Sequence, residues 1–113
     1  MISKPLVAAS LRPIVLSLLA GGPGYGYEII QKVTKVTDGH LQLTTGTLYP
    51  LLHSLENRGL LSGFERPAGP GPPRKYYRLT PKGRRALEKE RSQWIIVNRA
   101  LMSLWPAPNP ASA

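Results

Sequence analysis

The chain of 113 residues has room for one domain with a modest core, and its 42% hydrophobic residues include only one Phe and two Trp, so that core must be built mainly of Leu, Ile, Val and Ala. It contains no cysteine, which excludes a disulfide framework, a thiolate metal site and a cysteine nucleophile, and fits a reducing compartment, by default the cytoplasm. Fifteen Lys and Arg against six Asp and Glu leave a formal net charge of +9, so a polyanion is the expected partner, with nucleic acid the first candidate. No run approaches the roughly 18 apolar residues of a membrane span. The apolar stretch PIVLSLLAGG from Pro13 runs into GGPGYGYE instead of a small-residue cleavage site, so neither a membrane partner nor a signal peptide is expected.

The first predicted helix covers about Leu6 to Leu19, with Leu11, Ile14, Val15, Leu18 and Leu19 on one side. Pro13 makes it start near Ser10 or bend there, and Gly21, Gly22 and Gly24 end it. A short amphipathic helix follows from about Gly26 to Thr37, with Ile29, Ile30, Val33 and Val36 on one face and a stop at Asp38 and Gly39. In the third, TTGTLYPLLHSLENRGLL, Thr44 is the N-cap, Leu43 and Leu48 form a hydrophobic staple, and Asn57, Arg58 and Gly59 are the stop. Leu48, Leu51, Leu52 and Leu55 fix its buried stripe, which turns Gly46, Tyr49, Pro50, His53 and Asn57 outward at 100° per residue.

Leu60 to Arg66 and Lys75 to Thr80 read as a hairpin around the turn-rich insert PAGPGPPR. Alternation in KYYRLT separates Tyr76, Arg78 and Thr80 from Lys75, Tyr77 and Leu79. Thr80 then caps a last helix with Pro81 at its first position, running to about Trp105. Its apolar stripe of Leu87, Trp94, Val97, Leu101, Leu104 and Trp105 is widened by Ile95 and Met102, too broad for one packing partner. The plainest second partner is another copy of the chain, docked through this helix and the first. The tail PAPNPASA, 106–113, is expected to be disordered.

The order of elements is that of an α+β, mainly helical fold: a winged helix-turn-helix over residues 1–80 with a long C-terminal dimerisation helix over 81–105. In such a domain the third helix enters the major groove and the hairpin wing touches the backbone or minor groove. Thr44, Thr45, Thr47 and Tyr49 at the start of the third helix are placed for phosphates and base edges, with His53 farther along the groove and Tyr25 at a phosphate. Arg74 and Lys75 at the hairpin end, with Tyr77 in the same strand, complete the candidate DNA contacts. Trp94, Asn98 and Leu101 are candidates for the dimer core or for an effector site.

Enzyme chemistry finds no support. His40 and His53 lie in different segments, Glu88 and Glu90 point apart on a helix, and no phosphate-binding glycine loop is present, so neither catalytic residues, metal nor cofactor is expected. From another class comes a basic RNA-binding or ribosome-associated module that stacks bases on Tyr76 and Tyr77. A third reading is an interaction module that uses the last helix to hold a different protein.

Three segments together, GPGYGYEIIQKV, GTLYPLLHSLENRGLL and RKYYRLTPKGRRALE, resemble the PadR-type family of bacterial transcriptional regulators, in its short members with one C-terminal helix. The resemblance spans about residues 11 to 105. It implies a homodimeric winged-helix repressor on a palindromic operator, released by a small, aromatic or phenolic effector. The family's GYE motif falls on Gly26, Tyr27 and Glu28, its GTLYP on Gly46 to Pro50, and its basic wing strand on Arg74 to Tyr77. The tryptophan that forms a flat pore at the dimer centre of multidrug-binding members is matched by Trp94. The insert between the hairpin strands is richer in proline than the family's usual Gly and Arg stretch.

Overall fold

A computed structural model describes residues 2–106; the expected disordered tail lies, from residue 107, outside them. Four helices and three short strands follow in the order α1 (Lys4–Ala20), β1 (Gly24–Tyr25), α2 (Gly26–Val36), α3 (Thr45–Asn57), β2 (Leu61–Arg66), β3 (Arg74–Leu79) and α4 (Pro81–Leu104). Helix α1 starts earlier than its sequence suggests and carries Pro13 inside it. The proline removes the bond to the carbonyl of Ala9, a residue on the exposed side of the helix.

The sheet is antiparallel in the order β1-β3-β2, so the expected two-stranded hairpin carries a third strand, β1. Gly24 pairs with Tyr77 and Tyr25 with Tyr76, which fastens the start of α2 to the central strand. The inner face of the sheet, Leu61, Tyr77 and Leu79, closes over Val15 and Leu16 of α1, Ile29 and Val33 of α2, and Leu48, Leu52 and Leu55 of α3. The expected stripe of α3 is thus its buried side, with Leu51 half-buried at the edge.

Helix α3 ends as its Asn57-Arg58-Gly59 run predicts. Gly59 takes φ +77°, its N–H donates to the Glu56 carbonyl at 2.9 Å, and the Leu60 N–H donates to the Leu55 carbonyl at 2.9 Å, the paired bonds of a Schellman motif. Lys82, which as a cation near the start of α4 opposes that helix's dipole, donates from Nζ to the Arg58 carbonyl at 2.9 Å and so places its charge at the favourable end of α3.

The root of α4 is part of the same core. Thr80 caps it by accepting from the Gly83 N–H at 2.9 Å, and its hydroxyl reaches the Gly59 carbonyl at 2.6 Å. Gly83 faces the Leu60 carbonyl so closely that a Cβ there would overlap it. Leu87 completes the core, after which α4 runs past the domain: Ile95, Ile96, Val97, Met102 and Leu104 are exposed. Among the described residues no helix is long and apolar enough to cross a membrane.

Candidate nucleic-acid interface

The outward side of α3 carries the residues its stripe predicts there: Gly46, Tyr49, Pro50, His53 and Asn57 are all exposed. Thr44 caps the helix by accepting from the Thr47 N–H at 3.3 Å, and its Oγ1 lies 3.3 Å from the Thr47 hydroxyl. Thr45 is exposed beside them. The helix is regular from Thr45, so Pro50 lies in its second turn. The carbonyl it leaves unpaired is that of exposed Gly46, open to solvent or to a ligand.

Tyr49, 37% exposed, reaches across to α2, and its hydroxyl occupies the place a Cβ on Gly26 would take. That contact explains the glycine at the first position of α2. It also brings Tyr49 into a hollow of about 440 Å3 lined by Tyr25, Gly26, Tyr27, Tyr49, Arg74 and Lys75. The N-cap of α2, Tyr25, makes no side-chain cap bond, and Gly26 and Tyr27 of the first turn line this hollow. Arg74 lies over the Tyr25 ring, 4.6 Å from its centre. A helix start without a side-chain cap, three tyrosines, a guanidinium and an ammonium around one hollow suit a phosphate group.

Lys75 is less free than its place at the hairpin end suggests. Its Nζ donates to Glu56 Oε1 at 3.2 Å, while Glu56 Oε2 accepts from the Gly63 N–H at 3.0 Å. The hydrogen bond to Glu56 holds the Lys75 ammonium above its ordinary pKa. Glu56, not singled out from the sequence, therefore ties α3 to both wing strands. No local pattern marks it, because both of its partners come from the wing strands. A Cβ on Gly63 would lie 2.6 Å from Glu56 Oε2 and 2.5 Å from Lys75 Cε, so the glycine makes room for the tie.

Tyr77 departs from its expected place. It is 1% exposed, packed in the core on the face shared with Leu79, and burial pushes its phenol pKa up. It supports the wing from beneath and offers nothing to a nucleic acid. The base-stacking pair Tyr76 and Tyr77 fails for the same reason, since the two rings lie on opposite faces of the sheet.

At the other end, Trp94 lines an apolar groove of about 390 Å3 between α1 and α4, with Pro13, Ile14, Leu18, Leu87 and Arg91. Asn98 and Leu101 lie one and two turns farther along α4, outside that groove; Asn98 is exposed and Leu101 half-exposed.

Comparison with known proteins agrees with this architecture. The model of the transcriptional regulator PadR-like family matches residues 15–89. Transcriptional regulator Rv3488 of Mycobacterium tuberculosis is 37% identical over 83 residues, covering 74% of each chain. A transcriptional regulator from Clostridium thermocellum superposes with a TM-score of 0.82 at 27% identity, over 94% of this chain and 100% of the other. A PadR-like transcriptional regulator from Bacillus cereus gives 0.80 at 29% identity, over 89% and 96%.

Proposed function

The chain belongs to the PadR-like family of transcriptional regulators, and from that premise we propose that it is a cytoplasmic, homodimeric repressor that binds a palindromic DNA operator. The observation that carries this reading is the union of an exposed α3 face with the hollow at Tyr25, Tyr49 and Arg74. Helix α3 lies in the major groove, where Thr44, Thr45, Thr47 and His53 meet bases and phosphates, and the hollow receives a backbone phosphate beside it. Residues 1–80 form the DNA-binding unit and 81–105 the dimerisation helix.

Dimerisation follows from the apolar surplus of α4. Ile96 is 69% and Leu104 78% exposed in the single chain, and a second copy laid along α4 and α1 covers them. The groove at Trp94 then lies beside the dimer seam, in position to take a small aromatic effector whose binding shifts the two α3 helices relative to each other. No cofactor or metal enters this scheme.

Selection of bound duplexes from a random pool tests the reading directly, with a palindrome as the expected winner. Affinity for that duplex falls steeply with salt. Arg74→Ala lowers affinity for all sequences and reduces the salt slope by about 1 per protomer, whereas His53→Ala alters preference at particular bases. A protein that sediments strictly as a monomer, or that binds duplexes with no salt dependence, rules the proposal out.

A further inference from the structure

The outer face of the sheet carries side chains that neither the core nor α3 uses. Alternation along β3 puts Arg74, Tyr76 and Arg78 on the side away from the core. The pairings Phe64 with Tyr76, Arg66 with Arg74 and Tyr25 with Tyr76 bring Phe64, Arg66 and Tyr25 to the same side. The rings form one row across three strands: Tyr25 meets Tyr76 edge-on at 5.2 Å between centres, and Tyr76 stacks on Phe64 at 5.8 Å.

Each ring is covered by a guanidinium. Arg74 lies over Tyr25 at 4.6 Å, Arg66 over Tyr76 at 4.4 Å and Arg78 over Phe64 at 4.2 Å. None of these arginines forms an ion pair among the described residues, whose pairs involve Arg12, Lys32, Lys75 and Arg91. Glu65, the acid of the hairpin, stands opposite Lys75 in the ladder and belongs to the other face. A guanidinium stacked by its flat side keeps its N–H edge free for a bidentate phosphate contact and has already lost much of its rotamer freedom. Bases have no such opening here, because the rings they would stack on are taken.

The row also has length and direction. From Arg74 to Arg78 the strand advances about 13 Å, against roughly 3.4 Å of helix axis per phosphate on one DNA strand, so the row can follow several phosphates. Arg74 belongs both to this row and to the hollow beside α3, which makes the two surfaces continuous. We propose that the outer sheet face is a phosphate track for the duplex flanking the operator half-site, in which Arg66 and Arg78 extend the contacts begun at Arg74. The proposal rests on the duplex-DNA reading above.

The test compares two duplexes, the selected palindrome alone and the same palindrome with about one helical turn added at each end. The parent protein binds the longer duplex more tightly. Arg66→Gln with Arg78→Gln abolishes that gain and lowers the salt slope on the longer duplex by about 2 per protomer, with the short duplex bound as before. Each single variant gives about half the change in slope, which keeps the test available should the double variant fold poorly. Unchanged binding of the longer duplex overturns the proposal. So does an equal loss on both duplexes, or a loss seen only with phosphatidylserine vesicles or polyglutamate while the longer duplex is held normally. A parent protein that binds neither duplex removes the DNA reading itself, a different outcome from a parent that binds both equally, which removes only the track.

Discussion

Helices α3 and α4 begin with the same residue types and use them in opposite ways. Each is capped by a threonine, Thr44 or Thr80, each has a glycine in its first turn, Gly46 or Gly83, and each has a proline nearby, Pro50 or Pro81. In α4 all three serve the fold. Thr80 joins the Gly83 N–H to the Gly59 and Leu60 carbonyls, Gly83 lies against Leu60, and Pro81 takes the first position, where its missing N–H costs nothing. In α3 the cap bond is longer and exposed, a Cβ on Gly46 would meet nothing nearer than Thr44 Oγ1 at 3.7 Å, and Pro50 leaves a carbonyl unpaired on the surface. The root of α4 is a structural joint, and the start of α3 is a surface kept open at some cost to helix stability.

The largest effect expected from this contrast is at Gly83. Gly83→Ala forces its new methyl against a backbone carbonyl that cannot swing aside, and denaturant unfolding should show a loss of about 3 kcal/mol or more. A loss under about 1 kcal/mol would mean that α4 can pivot away from Leu60 freely and that the joint is not rigid. Next comes Thr80→Ala, expected to cost about 2 kcal/mol because it removes a cap and leaves the Gly59 carbonyl without its side-chain donor. Thr44→Ala removes only the exposed cap and should cost about 0.5 to 1 kcal/mol. Equal losses at the two threonines would erase the distinction between joint and surface.

What the sequence made legible follows the range of the interactions. The leucine stripe, the Thr44 and Thr80 caps and the Gly59 stop are set by residues within a few positions of one another, and each lies where periodicity and cap chemistry put it. Strand β1 escaped because two residues in GPGYGYE carry no alternation, and their pairing with β3 is a backbone matter across about fifty residues of chain. The buried place of Tyr77 is itself marked in the sequence: it shares a face with Leu79, and an apolar neighbour two positions away marks the buried side. Glu56, Gly63 and Gly83 depend on which segments meet in space, which no local pattern records. Lys82, a cation at the unfavourable end of its own helix, has a favourable partner only because α3 ends beside it.

The smallest effect on the fold, and the sharpest test of the contrast, is Gly46→Ala. With open space around it, the methyl should raise stability by about 0.5 kcal/mol through helix propensity, the opposite sign to Gly83→Ala. If α3 presses this point against a phosphate backbone, the same methyl intrudes on the contact and duplex affinity should fall about tenfold, roughly 1.4 kcal/mol. Unfolding and duplex binding measured on one preparation of the variant separate the two quantities. A gain in stability with unchanged affinity would place the duplex farther along α3, toward His53, and would leave Gly46 as a plain lapse in helix propensity. A loss of affinity together with the gain means that the residues weakening α3 sit where its partner comes closest.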